Sequence, residues 1–180
     1  AFITRARKEG LRDFGACMSP TSAFHILQGI ETLGMRMERH VDNTRAIVDF
    51  LGSQDMVSSV AYPELDGHPD QALAQELLPR GCGAVFSFDL KGGREAGIAF
   101  VDALDLFSHL ANVGDAKSLV IHPASTTHHR MDSAALAAGG ISEGTIRLSI
   151  GLEDSADLVA DLKQGLRAAA KVVDRQEEAQ

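Results

Sequence analysis

The residue of this chain whose type and position most strongly indicate a functional site is an arginine inside an apolar segment. Arg147 lies within Thr-Ile-Arg-Leu-Ser-Ile, residues 145–150, with apolar neighbours on each side. A guanidinium buried without an anionic partner costs several kcal/mol, so Arg147 requires an anion beside it. That anion is either a substrate carboxylate, which the planar guanidinium binds through two parallel hydrogen bonds, or a side chain such as Glu143 or Asp115. The pattern by itself favours neither interpretation.

Histidines and cysteines are weaker candidates for chemistry. His122, His128 and His129 lie within eight residues, but no HExxH pattern or cysteine pair accompanies them, so we expect no metal site. Cys17 and Cys82 have no neighbouring base in the sequence and belong to no catalytic motif. Two cysteines are also too few for a disulfide scaffold, which is typical of a protein of the reducing cytoplasm.

Length, composition and charge limit the class of protein. The chain has 180 residues, of which 44% are hydrophobic and 23% charged, and this is typical of one folded domain with a real core. The net charge is −8 and no basic block is present, so we expect neither nucleic acid nor an anionic membrane as a partner. No apolar run approaches the roughly 20 residues that a membrane-spanning helix needs.

Helix and strand patterns that must position these residues alternate along the chain. Apolar spacing from Pro20 to Leu51 predicts a long helix with Ser19 as its N-cap, and Gly29 and Gly34 favour a kink or break inside it. No Gly-rich phosphate loop follows a first strand, so the pattern predicts a sheet layered with helices rather than a Rossmann or P-loop arrangement. Strands are predicted over 57–62, 84–90, 108–113, 117–121 and 145–150, and further helices over 70–78, 94–106, 132–138 and 155–173.

Six segments of the chain match a known pattern, and together they span about residues 10–165. They are residues 15–20 (GACMSP), 29–37 (GIETLGMRM), 83–93 (GAVFSFDLKGG), 114–119 (GDAKSL), 122–125 (HPAS) and 140–154 (GISEGTIRLSIGLED). These segments resemble the C-terminal half of the Cys/Met-metabolism family of pyridoxal-phosphate (PLP) enzymes. Within that family, residues 112–115 (NVGD) and 125–128 (STTH) are most similar to the O-acetylhomoserine sulfhydrylases.

The resemblance implies a fold and an assembly. The fold is α/β: the α+β small C-terminal domain of the aspartate-aminotransferase-like, fold type I PLP enzymes, with a mixed, mainly antiparallel sheet and helices on one face. Residues 1–50 would be the end of the large PLP domain together with the long connecting helix, and residues 51–180 the C-terminal small domain. The resemblance also implies a cytoplasmic homo-oligomer, a dimer that assembles into a tetramer.

The activity that the resemblance implies is a PLP-dependent γ-replacement. Such a transferase makes homocysteine from the amino acid O-acetylhomoserine and sulfide, as in methionine biosynthesis. The family binds PLP as a Schiff base on the lysine of a Ser-x-Thr-Lys motif, which residues 1–180 lack. We therefore expect no catalytic residue and no bound PLP in this chain alone, and no activity from it. Two alternatives stay open: γ-elimination, as in cystathionine or methionine γ-lyases, and a non-catalytic interaction module in which Arg147 is structural.

The resemblance assigns roles to few positions. Arg147 matches the arginine that binds the α-carboxylate of the substrate, and Asn112 matches a position beside it that helps to hold the same group. Thr127 falls in a loop that lines the pocket, and Ala111 matches a position that varies with substrate preference. No role is implied for the histidines.

Overall fold

The computed structural model describes residues 1–179, which divide into two compact units, residues 1–36 and the residues from 37 onward. The helices are α1 (Phe2–Arg5), α2 (Pro20–Glu31), α3 (Leu33–Gly52), α4 (Gln71–Leu77), α5 (Gly93–Asp102), α6 (Ser133–Ala138) and α7 (Ser155–Glu178), with a π-helical stretch Ala6–Asp13 and a 3₁₀ turn Pro123–Ser125. The strands are β1 (Val57–Ala61), β2 (Val85–Leu90), β3 (Ser108–His109), β4 (Leu119–Ile121) and β5 (Thr145–Ser149). No helix within residues 1–179 combines the length and the apolar character needed to cross a membrane.

Helix α2 lies in the first unit, and its start follows the sequence prediction. The Ser19 hydroxyl accepts the backbone N–H of Ser22 at 3.1 Å, and proline occupies the first helical position. The helical pattern that continues to Leu51 is not one helix, because the chain leaves helical geometry at Thr32 before α3 begins. Thr32 lies between the two glycines that favoured a break. No residue of α2 is buried.

A five-stranded sheet with the order β1-β2-β5-β4-β3 organises the second unit. The β1–β2, β2–β5 and β4–β5 pairs are antiparallel, and the β3–β4 pair is parallel. Alternate residues of β2 are buried, since Phe86, Phe88 and Leu90 face the core and the residues between them face the other way. The prediction of an α/β fold with a mixed, mainly antiparallel sheet is therefore confirmed.

Helices α3, α5 and α7 cover the buried face of this sheet. Their apolar side chains form one cluster with those of β2 and β5, and Phe100 of α5 meets Phe88 edge to face at 5.7 Å between ring centroids. Asp161 of α7 anchors the chain after α5, because its carboxylate accepts backbone N–H groups of residues 105–107 at 2.9, 3.0 and 3.1 Å. These contacts end α5 at Asp102, four residues before the predicted end.

Two polar side chains of α3 hold the turn that follows β5. The His40 Nδ1 lies 2.6 Å from the carbonyl oxygen of Ile150. The Asn43 amide donates to the carbonyl oxygens of Gly151 and Glu153 at 3.0 and 2.8 Å. The end of the strand that carries Arg147 is thereby fixed to the helix layer.

Strands β3 and β4 and helix α7 also differ in length from the sequence prediction. Strands β3 and β4 are shorter than predicted, because residues 110–118 form a loop rather than extended pairing. Helix α7 continues to Glu178 rather than ending near residue 173, since residues 174–178 include good helix formers that extend an established helix. The domain boundary near residue 50 stays a prediction.

Candidate functional site

Arg147 lies at the centre of the sheet, on the face opposite the helices. Its register partners are Ser87 on β2 and Ile121 on β4. Paired residues of antiparallel strands project on the same face, so these three side chains are neighbours. The flanking residues Ile146 and Leu148 are fully buried in the core, which turns Arg147 toward the other side.

An open cavity covers this face of the sheet. Its volume is about 330 Å³, and one wall is β5 while the other is the chain that follows β4. Its lining residues are Ser87, Ile121, Pro123, Thr127, His128, Gly140, Ile141, Thr145 and Arg147. Two of the residues to which the resemblance assigns a role, Arg147 and Thr127, therefore lie in the same cavity.

Arg147 has a single protein partner in the part of the chain that the structure describes. Its Nη2 donates to the backbone carbonyl oxygen of Asn112 at 3.2 Å, and no ion pair within residues 1–179 includes it. Pairing with Glu143 is wrong, because Arg94 binds both carboxylate oxygens of Glu143 at 2.6 and 3.2 Å. Asp115 is no ion-pair partner either, and its carboxylate accepts the backbone N–H of residue 117 at 3.1 Å. Arg147 therefore offers most of its donors to an anion in the cavity.

The other predicted site residues differ in whether they contact Arg147 or line its cavity. Asn112 contacts it through the backbone, while the Asn112 side chain accepts the backbone N–H of Val113 at 2.9 Å. Thr127 is exposed at the cavity, with its hydroxyl 2.8 Å from Nδ1 of His128. Ala111 is exposed beside Asn112 and does not line the cavity. The ligand-binding roles of these residues stay predictions.

An acidic residue beside the cavity was missed from the sequence. Asp89 of β2 is paired with Thr145 of β5, and its carboxylate accepts hydroxyl groups of Thr145, Ser142 and Ser59 at 2.5, 2.6 and 2.9 Å. Burial opposes ionisation of Asp89, but these hydrogen bonds outweigh it and hold its pKa below the usual value. The alternation of β2 already places Asp89 on the face of Ser87 and Arg147, and that signal could have identified it.

The residues around this cavity do not by themselves form a PLP site. PLP enzymes bind the cofactor as a Schiff base on a lysine, with a charged partner for the pyridine nitrogen. No lysine is among the residues that line the cavity, and Lys91 and Lys117 are exposed to solvent outside it. Within residues 1–179 no three His, Cys, Asp or Glu side chains converge as metal ligands would. Among the residues that line the cavity, Arg147 is suited to binding an anionic group.

Known proteins show strong similarity to this chain. The O-acetyl-L-homoserine sulfhydrylase of Leptospira meyeri is 46% identical over 168 residues, which are 93% of this chain and 38% of that protein. The L-methionine gamma-lyase of Pseudomonas putida is 44% identical over 171 residues, 94% of this chain and 43% of that protein. The crystal structure of cystathionine gamma synthase from Xanthomonas oryzae pv. oryzae, in complex with cystathionine, matches with a TM-score of 0.79 at 44% identity and covers 89% of this chain and 41% of that one.

These similarities agree on the family and on the fold. The chain spans about two fifths of the length of the curated relatives that it matches. Its structural similarity to a Cys/Met-metabolism enzyme confirms the fold class that the sequence resemblance implied. The sequence model of the family described as Cys/Met metabolism PLP-dependent enzyme matches residues 3–167. The chain therefore belongs to the Cys/Met-metabolism family of PLP-dependent enzymes.

Proposed function

We propose that the full-length protein containing this chain is a PLP-dependent γ-replacement enzyme that makes homocysteine from O-acetylhomoserine and sulfide. In this reaction the C–O bond at Cγ breaks, acetate leaves, and a C–S bond to sulfide forms at the same carbon. The observation that carries the proposal is the Arg147 guanidinium, which lines an open cavity and has no carboxylate partner within residues 1–179. The 46% identity to an O-acetyl-L-homoserine sulfhydrylase supports this choice of reaction.

Arg147 would bind the α-carboxylate of the amino-acid substrate. The Asn112 carbonyl oxygen accepts from one end of the guanidinium at 3.2 Å and restricts its rotation, which leaves the remaining donors for a bidentate contact. The exposed Thr127 hydroxyl at the same cavity is a further donor for the carboxylate. This arrangement transfers no proton: it fixes the orientation of the substrate, which is catalysis by positioning. PLP and its lysine would come from outside residues 1–180.

A second candidate is γ-elimination, in which the substrate loses its γ-substituent without gaining another. The 44% identity to the L-methionine gamma-lyase of Pseudomonas putida favours it almost as strongly. An α-carboxylate site serves both reactions, because both begin from an α-amino acid. The residues of the cavity described above therefore do not separate the two reactions.

We also propose that the full-length protein is a cytoplasmic homo-oligomer, either a dimer or a tetramer. The first unit supports this proposal, since α2 exposes Phe24, Leu27 and Ile30 with 59%, 61% and 55% of their surface accessible. An apolar helix face of this kind requires a cover of similar character. A second copy of the chain or the remainder of the same protein would provide it.

The test is a product assay on the full-length protein purified with PLP. Incubation with O-acetyl-L-homoserine is expected to yield homocysteine only when sulfide is added, as measured by mass spectrometry. Incubation with L-methionine is expected to yield little 2-oxobutyrate and methanethiol. The opposite ratio would establish the γ-lyase, and no product from either substrate would favour the non-catalytic interaction module.

A further inference from the structure

A buried histidine next to the cavity has both ring nitrogens engaged. His122 has none of its surface exposed, and its Nε2 lies 2.8 Å from the backbone carbonyl oxygen of Glu143. Its Nδ1 lies 2.8 Å from the hydroxyl oxygen of Ser125. A carbonyl oxygen can only accept, so Nε2 carries the hydrogen and the neutral ring accepts the Ser125 hydroxyl at Nδ1. The hydrogen-bond partners thus determine the tautomer.

The surroundings of His122 leave the ring little freedom and keep it neutral. A Cβ on Gly97 of α5 would lie 2.5 Å from Nε2, so this position accepts only glycine beside the ring. Burial lowers the pKa of His122, and the carbonyl of Glu143 opposes that shift. The nearby Arg94 on α5 and His109 on β3 lower the pKa further. The imidazole is therefore neutral near pH 7.

One wall of the cavity is the chain that starts at His122. Pro123, Thr127 and His128 line the cavity from this side. The backbone carbonyl oxygen of His122 accepts the N–H and the hydroxyl of Thr126 at 3.2 and 2.8 Å, which closes the turn that leads to Thr127. The position of His122 therefore determines where this wall begins.

The other wall is β5, which carries Thr145 and Arg147. Glu143 lies just before this strand, and its carbonyl oxygen is the partner of His122 Nε2. The Glu143 carboxylate in turn binds Arg94 of α5 at 2.6 Å, so α5 is also joined to the start of this wall. The His122 ring is thus a direct hydrogen-bonded bridge between the two walls of the cavity.

We propose that His122 is a positioning residue for the substrate carboxylate site, which fixes the wall of Thr127 against the wall of Arg147. The inference rests on the proposed function, since it takes the ligand of the cavity to be an amino-acid carboxylate. His122 does not line the cavity, so it acts through these two walls. A ring of similar volume without nitrogens would fill the space but leave the Glu143 carbonyl and the Ser125 hydroxyl without their partner.

The test compares two ligands in the full-length PLP-bound enzyme. The ligands are L-norvaline and butylamine, which differ by the α-carboxylate, and their dissociation constants are read from the visible spectrum of the bound cofactor. His122→Phe is expected to raise the dissociation constant of norvaline about tenfold, the equivalent of one neutral hydrogen bond, and to leave that of butylamine unchanged. His68→Phe, at a half-buried histidine outside the cavity lining, is the matched control and is expected to change neither constant.

A double-mutant cycle separates positioning from general loss of structure. If His122 acts through Arg147, the effects of His122→Phe and Arg147→Lys on norvaline binding are not additive in free energy. Equal weakening of both ligands, or additive effects, would overturn the proposal for His122. A wild-type enzyme that binds norvaline no better than butylamine would instead overturn the carboxylate site, and with it the proposed function of Arg147.

A measurement on the wild-type chain keeps the proposal testable if the phenylalanine variant does not fold. In nitrogen NMR spectra of the full-length enzyme near neutral pH, the neutral His122 ring is expected to show the tautomer with hydrogen on Nε2. A His122 ring that carries its hydrogen on Nδ1, or hydrogens on both nitrogens, would contradict the bridge between the two walls.

Discussion

Replacing Arg147 by lysine tests whether the shape of the guanidinium, and not only its charge, binds the substrate. Arg147 is half-buried at the cavity, and its one side-chain hydrogen bond within residues 1–179 is to the carbonyl oxygen of Asn112 at 3.2 Å. A lysine ammonium keeps the positive charge but has no planar fork, so it cannot bind Asn112 and both carboxylate oxygens with the same geometry. The substitution leaves the buried neighbours Ile146 and Leu148 in place, so the sheet should persist.

The expected magnitude follows from the contacts that lysine loses. The loss of one charge-assisted hydrogen bond from a bidentate pair weakens binding by about 1.5–3 kcal/mol, or about 10- to 150-fold. Arg147→Ala removes the charge as well and is expected to lose about 2–5 kcal/mol, or about 30- to 4,000-fold. Half-burial of Arg147 favours the lower part of each range, because water screens the remaining interactions.

The assay is kcat/KM of the full-length enzyme for O-acetyl-L-homoserine at saturating sulfide, with PLP content measured from the absorbance of the cofactor. We expect both Arg147 variants to lose kcat/KM by these factors and to retain normal PLP content. Arg167→Lys, at an exposed arginine of α7, is the matched control and should be unchanged. If Arg147→Ala keeps at least half of the wild-type kcat/KM, Arg147 does not bind the substrate carboxylate, which must then bind elsewhere.

Two further predictions concern stability. Asp161→Ala should lower the free energy of unfolding by about 2–3 kcal/mol in urea titrations, because three backbone N–H groups lose a charged acceptor, whereas the exposed Asp157→Ala should cost less than 1 kcal/mol. The hydrogen bonds that lower the pKa of Asp89 stabilise the fold at pH values above the unfolded-state pKa of about 3.9. This stabilisation is lost as the pH falls through the lower folded-state pKa. Asp89→Asn should therefore be less stable than wild type at neutral pH and should lose less stability on acidification, and an unchanged acid dependence would contradict the role of Asp89.

Local sequence signals determined the main elements and the most informative charge. Ser19 caps α2 as its residue type predicts, because short polar side chains accept the free N–H groups of a first helical turn. The alternation of β2 and β5 fixed which residues face the core, and that alternation left Arg147 on the opposite face. The segment around Arg147 also carried the family resemblance. Each of these signals lies within a few residues along the chain.

Contacts between distant segments were decided only by the tertiary structure. The sequence left Glu143 open as a partner of Arg147, and the structure excluded it because Arg94 of a different element already binds that carboxylate. No role for His122 could be predicted from the sequence, since the Glu143 carbonyl and Gly97 come next to its ring only when the sheet and α5 pack together. Periodicity reports which face a side chain takes, whereas register and helix packing decide which distant residue lies opposite it. The candidate site depends on that second kind of information, because its walls are β5 and the chain after β4.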